Sequence, residues 1–167
     1  MIIIGIDPGT ATTGYGVVDK RGDHVHYVAA GVIITPPSLE PPARLQMIYD
    51  QFNTLVDTHQ PAEVATERLF FTNNVTTGIP VGRALGVILL TLAQRRLPWA
   101  EYTPTQVKSA VVGVGNADKK QVQFMVTRLL SLRETPKPDD AADALAVALC
   151  HAHSLRLAPL VKPGVRG

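Results

Sequence analysis

The chain of 167 residues is 46% hydrophobic and 18% charged, which fits one globular domain and excludes an intrinsically disordered protein. Its single cysteine, Cys150, excludes an internal disulfide, and without a secretory signal pattern we expect a cytoplasmic location. The longest nearly uncharged apolar stretch, Ala84 to Ala93, is too short to span a membrane.

The first 18 residues, MIIIGIDPGTATTGYGVV, carry the clearest pattern of the chain. Four isoleucines form a short β-branched run that predicts a strand buried on both faces. The run ends at Asp7, and Pro8-Gly9 predicts a tight turn, which by itself would also explain the aspartate. Small residues from Thr10 to Gly14 lead to a second strand, Tyr15 to Val18, and leave room for a bulky group to approach the Asp7 carboxylate.

A meander and a βαβ unit follow. The stretch Asp19 to Asp23 predicts a hairpin loop, and His24 to Thr35 predicts a third strand. After a proline-rich connection, apolar residues from Leu45 to Val56 recur every three or four positions and predict an amphipathic helix. A fourth strand, Ala62 to Thr66, again ends at an acid, Glu67.

The second half predicts a polar loop, a long helix from Val75 to Arg96, a fifth strand from Trp99 to Thr103, a short helix TQVKSAVVG, and a helix capped by Asp118. The last helix starts near Asp139, its expected N-cap, and places His151 and His153 on its exposed end. The predicted order is β-β-β-α-β-α-β-α-α. It indicates an α/β fold with a mixed five-stranded sheet and helices on both faces. We expect one domain over residues 1–154 and a flexible basic tail over 155–167.

Four acids occupy positions that suggest chemistry. Asp7 and Glu67 each end a buried strand, and they meet at one edge of the sheet if those strands are neighbours. Asp140 and Asp143 lie three apart and share one face at the start of the last helix. A charged first turn would also explain this pair. Four clustered carboxylates need a cation to stay ionised, and hard oxygen ligands favour Mg²⁺ or Mn²⁺. Two such ions could drive phosphodiester hydrolysis.

The motifs GIDPGTATTGYGVV, ATERLFF, QVKSAVVGVGNADKKQV and DDAADALAVALCHAH resemble those of the RuvC Holliday junction resolvases, within the ribonuclease-H-like nucleases. The resemblance covers the chain to about His153. It implies paired, symmetric nicking of opposing strands in recombination and repair. It also implies two Mg²⁺ ions per site, with Mn²⁺ as a substitute, bound by Asp7, Glu67, Asp140 and Asp143. Asp139 adjoins this motif, and an exchange of roles with Asp140 remains open.

The same resemblance implies that Lys108 and Lys119 lie at the DNA, and that Phe70 is a wedge at the crossover while Phe71 anchors its loop. The remaining candidates for DNA contact are Arg68 and Arg83. If four of the 14 acids bind metal, 10 acids remain against 16 Lys and Arg residues, so the rest of the surface is basic.

The expected partners are a four-way DNA junction, a second copy of the chain and, by resemblance, a branch-migration helicase complex, with no membrane. The helix Val75 to Arg96 is the candidate dimer interface because it is apolar nearly all round and carries Gly82 and Gly86. The main alternative is a related nuclease acting on another branched or RNA-containing substrate. IGIDPGT also resembles the phosphate loop of actin- and Hsp70-like ATPases, but the chain is too short for their duplicated fold. A binding-only module would be expected to lack some of the four acids.

Overall fold

The computed structural model describes residues 1–69 and 75–157 and contains ten elements in the order β1-β2-β3-α1-β4-α2-β5-α3-α4-α5. The strands are β1 (Ile2–Asp7), β2 (Thr12–Arg21), β3 (His24–Ile34), β4 (Glu63–Glu67) and β5 (Trp99–Tyr102). The helices are α1 (Pro41–His59), α2 (Val75–Arg95), α3 (Pro104–Val112), α4 (Lys119–Leu129) and α5 (Asp139–Leu157).

The five strands form one mixed sheet in the order β3-β2-β1-β4-β5. β1, β2 and β3 pair antiparallel, whereas β4 runs parallel to β1 and β5 parallel to β4. The prediction of a mixed five-stranded α/β fold is therefore confirmed. Because β1 and β4 are parallel neighbours, their last residues, Asp7 and Glu67, emerge at the same edge of the sheet.

Alternation along the strands divides the core into two layers. On one face, Ile3, Val18 and Ala65 pack against α3, α4 and α5. On the other face, Ile4, Ile6 and other apolar side chains pack against α1 and α2. No described helix is both long enough and apolar enough to cross a membrane.

Glycines of the sheet let α5 lie directly on β1 and β2. A Cβ added to Gly5 would lie 2.2 Å from the carbonyl oxygen of Ala144, and one added to Gly16 would lie 2.6 Å from the amide nitrogen of Leu145. At Gly14 the added atom would lie 2.1 Å from the carbonyl oxygen of Asp140. Real Cβ atoms do not approach other atoms this closely, so these three positions require glycine while α5 stays where it is.

Several predicted details are wrong. Three helices follow β5 rather than two, because the short helix is a full element, α3, with a capping box at Thr103. β2 begins at Thr12, three residues earlier than predicted. At Gly14, the space that the small residues leave is occupied by the backbone of Asp140 in α5. Asp139 is the first residue of α5 rather than its N-cap.

The prediction for His151 is also wrong, because the side chain is buried and does not lie on an exposed helix end. One ring nitrogen lies 2.8 Å from the Tyr102 hydroxyl and the other lies 2.8 Å from the Glu63 carboxylate. This network joins α5 to β4 and β5. Cys150 is buried, as expected for a small core residue. α5 extends to Leu157, so residues 155–157 are helical, and residues 158–167 of the expected tail lie outside the described part of the chain.

Candidate active site

Two strand ends and one helix start bring the acids together. Asp7 lies opposite Gly14 in the β1–β2 ladder, and Ile6 lies beside Thr66, so Glu67 comes one residue further along β4. Since the backbone of Asp140 rests against Gly14, the first turns of α5 lie beside the end of β1. Sheet pairing and helix seating together place carboxylates from three distant parts of the sequence at one edge.

A cavity of about 300 Å³ opens between these elements. Its polar lining includes three of the four predicted carboxylates, Asp7, Glu67 and Asp143, and both predicted lysines, Lys108 on α3 and Lys119 on α4. The remaining wall is apolar and consists of Pro104, Val107, Val122 and Ala146. Asp140 is not part of this lining.

The turn after Asp7 is held by hydroxyl groups. The Thr13 hydroxyl donates to the carbonyl oxygen of Gly9 at 2.5 Å, and the Thr35 hydroxyl donates to that of Thr10 at 2.6 Å. The Thr10 hydroxyl donates in turn to the carbonyl oxygen of Pro80, 2.5 Å away on α2. The backbone that carries Asp7 is therefore fastened to β3 and to α2.

Arg44 of α1 adds to this hydrogen-bond network, which we call the clasp and which consists of Thr10, Thr13, Thr35, Pro80 and Arg44. The sequence did not predict the part played by Arg44. Its Nε donates to the Thr35 hydroxyl at 2.8 Å, and a terminal nitrogen lies 3.4 Å from the Thr35 carbonyl oxygen. Thr35 itself is buried, so its polar atoms depend on these partners. The nearest sequence signal was a threonine at the end of a strand, which by itself does not identify a partner nine residues later.

The electrostatics of the cavity are those of crowded carboxylates. Burial raises the pKa of the Asp7 carboxyl to about 7, and neighbouring negative charges add to this rise. These neighbours are, in order of effect, Asp143, Glu67 and Asp140. Burial also raises the pKa of Glu67, with a further rise from Asp143 and an opposing effect from Lys108. Asp140 therefore acts on the site through its charge although it does not line the cavity.

Lys119 supplies the positive charge closest to these acids. Its ammonium nitrogen lies 3.0 Å from a carboxylate oxygen of Asp143 and 3.3 Å from one of Asp139. Hydrogen bonding to Asp143 raises the pKa of Lys119, so the lysine is held in its charged form. Burial nevertheless leaves the pKa of Asp143 raised.

The donor set fits hard divalent cations, because every acidic group in the cavity is a carboxylate, and burial and the neighbouring negative charges raise the pKa of Asp7 despite the opposing charge of Lys119. Among the described residues, however, no three His, Cys, Asp or Glu side chains are already gathered closely enough to hold one ion. Side-chain adjustment would therefore have to accompany ion binding.

Comparison with known proteins agrees with this geometry. Residues 3–151 match the family model described as "Crossover junction endodeoxyribonuclease RuvC". The chain belongs to the RuvC family. A family member from Syntrophomonas wolfei is 51% identical over 162 residues, which cover 97% of this chain and 94% of that protein. One from Desulfitobacterium hafniense is 54% identical over 157 residues, covering 94% and 95%.

Solved RuvC structures share the whole fold. Thermus thermophilus RuvC superimposes with a TM-score of 0.88 at 35% identity, covering 95% of this chain and 97% of that one. The structure of T. thermophilus RuvC in complex with Holliday junction substrate gives 0.90 at 36% identity, covering 95% and 96%.

The remaining predicted DNA contacts of this RuvC chain are spread over the molecule. Arg68 forms an ion pair with Glu101, 2.7 Å away. Arg83 lies on α2 and lines a separate pocket that also includes Arg44 and Thr10. Neither arginine lines the acidic cavity, whereas Lys108 and Lys119 both do. The predicted wedge and anchor, Phe70 and Phe71, lie outside the described residues.

Because the pKa of Asp7 is raised, the stability of the metal-free protein should depend on pH. The pKa of about 7 in the folded protein exceeds the ordinary aspartate value of 3.8, so the folded protein binds more protons than the unfolded chain between these limits. Stability therefore falls as the pH rises from about 4 to about 7, by up to about 4 kcal/mol for this group. In chelator, we expect the melting temperature to fall more between pH 5 and pH 8 in the wild type than in Asp7→Asn. If the melting temperatures of the two proteins depend equally on pH, the pKa of Asp7 is not raised as described.

Proposed function

We propose that this chain is an endonuclease that resolves four-way DNA junctions by hydrolysing phosphodiester bonds at the acidic cavity. The observation that carries this proposal is the convergence of Asp7, Glu67 and Asp143 with Lys108 and Lys119 on one cavity. Its family membership and its likeness to a RuvC in complex with Holliday junction substrate support the same activity. Paired nicking in recombination and repair is the corresponding cellular role.

Asp7, Glu67, Asp140 and Asp143 would hold two Mg²⁺ ions, which supply an activated water and stabilise the departing oxygen in this chemistry. In the reaction, the water oxygen forms a bond to phosphorus while the bond from phosphorus to a sugar oxygen breaks. Lys108 and Lys119 would bind the non-bridging phosphate oxygens and keep the strand over the carboxylates. Val107 and Val122 exclude water from one side of the cavity, which strengthens these interactions.

A gel assay tests the substrate class. We expect the protein to cut a four-way junction in the presence of Mg²⁺, to leave a linear duplex of the same sequence intact, and to be inactive in chelator. Preferential cutting of an RNA–DNA hybrid would overturn the proposal in favour of a related nuclease. Comparable cutting of all three substrates would remove the selectivity for junctions.

We also propose that the protein works as a homodimer that uses α2. A four-way junction has approximate two-fold symmetry, and symmetric nicks need two equivalent sites, which an isologous dimer supplies. One face of α2 is buried through Ala84, Ile88 and Leu92. The opposite face is exposed, and we call it the α2 stripe. It consists of Ile79, Arg83, Gly86, Leu90 and Ala93.

The α2 stripe provides a direct test of the dimer. Leu90 is 55% exposed, so Leu90→Glu leaves the protomer core intact but would bury a charge in the proposed interface. We expect this variant to sediment as a monomer and to lose paired cleavage. Ile34→Glu is the matched control, because Ile34 is 60% exposed and lies on β3 rather than on α2. A wild-type protein that is monomeric with and without DNA would overturn the proposal.

Phe70 and Phe71 retain their predicted roles as wedge and anchor, and the branch-migration helicase complex remains a predicted partner. These expectations rest on the resemblance. The junction assay and the sedimentation test do not depend on these expectations.

A further inference from the structure

Helix α4 begins at the cavity, and all of its charged residues are positive. Its sequence, KKQVQFMVTRL, contains three cationic residues and no acid. Lys119, its first residue, lines the cavity, and Val122 and Val126 form its buried face. Three exposed residues follow at intervals of four, and we call them the α4 row. They are Lys120, Phe124 and Arg128.

The middle member of the α4 row is an apolar ring in solvent. Phe124 is 60% exposed, so core packing does not explain it. The guanidinium carbon of Arg128 lies 5.9 Å from the centre of this ring, within range of a cation–π contact. No ion pair among the described residues involves Lys120 or Arg128. Both cations therefore face solvent without a carboxylate to neutralise them.

We infer that the α4 row binds the phosphate backbone of one duplex arm of the junction, and that Phe124 is a positioning residue for Arg128. The inference rests on the proposed function. Lys120 and Arg128 are eight residues apart, about 12 Å along the helix axis, which matches the rise of three to four base pairs. The row starts beside Lys119, so an arm lying along it is continuous with a phosphate in the cavity. Charge complementarity favours DNA over a protein partner.

The ring contact gives Arg128 a defined orientation. The cation–π contact with Phe124 restrains the guanidinium of Arg128 and leaves its N–H groups free to bind phosphate oxygens. An arginine that moved freely would lose more side-chain entropy on binding. An exposed leucine at position 124 would not provide this cation–π contact.

The salt dependence of junction binding tests the α4 row, measured in an Asp7→Asn background that does not cut. Each neutralised phosphate contact changes the slope of log K against log[salt] by about 0.9. We expect Arg128→Gln and Lys120→Gln each to reduce the slope by about this amount and to weaken binding roughly threefold to tenfold at 50 mM salt. Arg96→Gln, just beyond α2 on the opposite face of the sheet from α4, is the control and should change neither quantity.

A double-mutant cycle tests the positioning role of Phe124. Phe124→Leu should weaken binding in the presence of Arg128 but have no further effect in Arg128→Gln, and Phe124→Tyr should retain binding. Additive effects of the two substitutions would overturn the positioning role.

The experiments distinguish a failure of the proposed function from a failure of the α4 row as a DNA-binding surface. If the protein without these changes neither binds nor cuts a junction, the proposed function fails. If it binds and cuts normally while Arg128→Gln and Lys120→Gln keep the original salt slope, the function stands and the α4 row is not a DNA surface. The second result would also be expected if the row bound a protein partner.

Discussion

Replacing Asp7 with asparagine is expected to lower the rate of junction cleavage by about 10³-fold while leaving junction binding intact. The substitution keeps the volume of the side chain but removes a carboxylate from the most crowded position in the cavity. Loss of about 4 kcal/mol of transition-state stabilisation by the ions corresponds to this factor. Binding should be unchanged or slightly tighter, because phosphate contacts by cationic residues supply most of the affinity. Single-turnover cleavage and filter binding on the same junction measure the two effects.

Asp139→Asn is the matched control for this result. Asp139 starts the same helix as Asp140, but its side chain is 61% exposed and forms an ion pair with Lys119. We expect it to cut within a few-fold of the wild type and Asp140→Asn to be severely impaired. The reverse pattern would show that the two aspartates exchange roles. Normal Mg²⁺-dependent cleavage by Asp7→Asn would remove Asp7 from the metal site.

The positions of the acids were predictable because each one follows a local pattern. A β-branched run that stops at an acid marks a strand end, and this places Asp7 and Glu67 without knowledge of the tertiary structure. That β1 and β4 are neighbours was a condition of this prediction, and the parallel pairing of the two strands meets it. The two small alanines between Asp140 and Asp143 favour a close approach of that helix to the sheet. The complementary feature, glycines on the strands, was not predicted.

The features that were missed depend on contacts between distant segments. The clasp joins Thr10 to Thr35 and Pro80, which lie 25 and 70 residues beyond it, and no local pattern predicts such pairs. Arg68 was a candidate for DNA contact, and no local pattern indicated its ion pair with Glu101 of β5, 2.7 Å away. The burial of His151 did have a signal. The stretch DALAVALCHAH has no polar face, and a helix that is apolar all round is buried all round.

Replacing Gly5 with alanine is expected to destabilise the protein by about 3 kcal/mol or more. Gly5 is in the middle of β1, and its missing side chain is where α5 crosses the sheet. An added Cβ would lie 2.2 Å from the carbonyl oxygen of Ala144 and 2.5 Å from the amide nitrogen of Ala148. Both are backbone atoms, so a change of rotamer cannot relieve the contact. Overpacking that side chains can absorb already costs about 1–3 kcal/mol. For a chain of this size, we expect the melting temperature to fall by roughly 6–12 °C.

Two further variants separate this backbone contact from ordinary crowding. Ala148→Gly removes the Ala148 Cβ, 2.9 Å from the added atom, but leaves both backbone contacts, so it should not rescue Gly5→Ala. Gly86→Ala adds a methyl group that meets no atom within 4 Å on α2. In a chain kept monomeric by Leu90→Glu, it should raise stability by up to about 1 kcal/mol. If Gly5→Ala melts within about 2 °C of the wild type, α5 is not seated on β1 as described. Because α5 carries Asp140 and Asp143, any Gly5→Ala protein that folds should also cut junctions more slowly at saturating enzyme, since its carboxylates are displaced from Asp7.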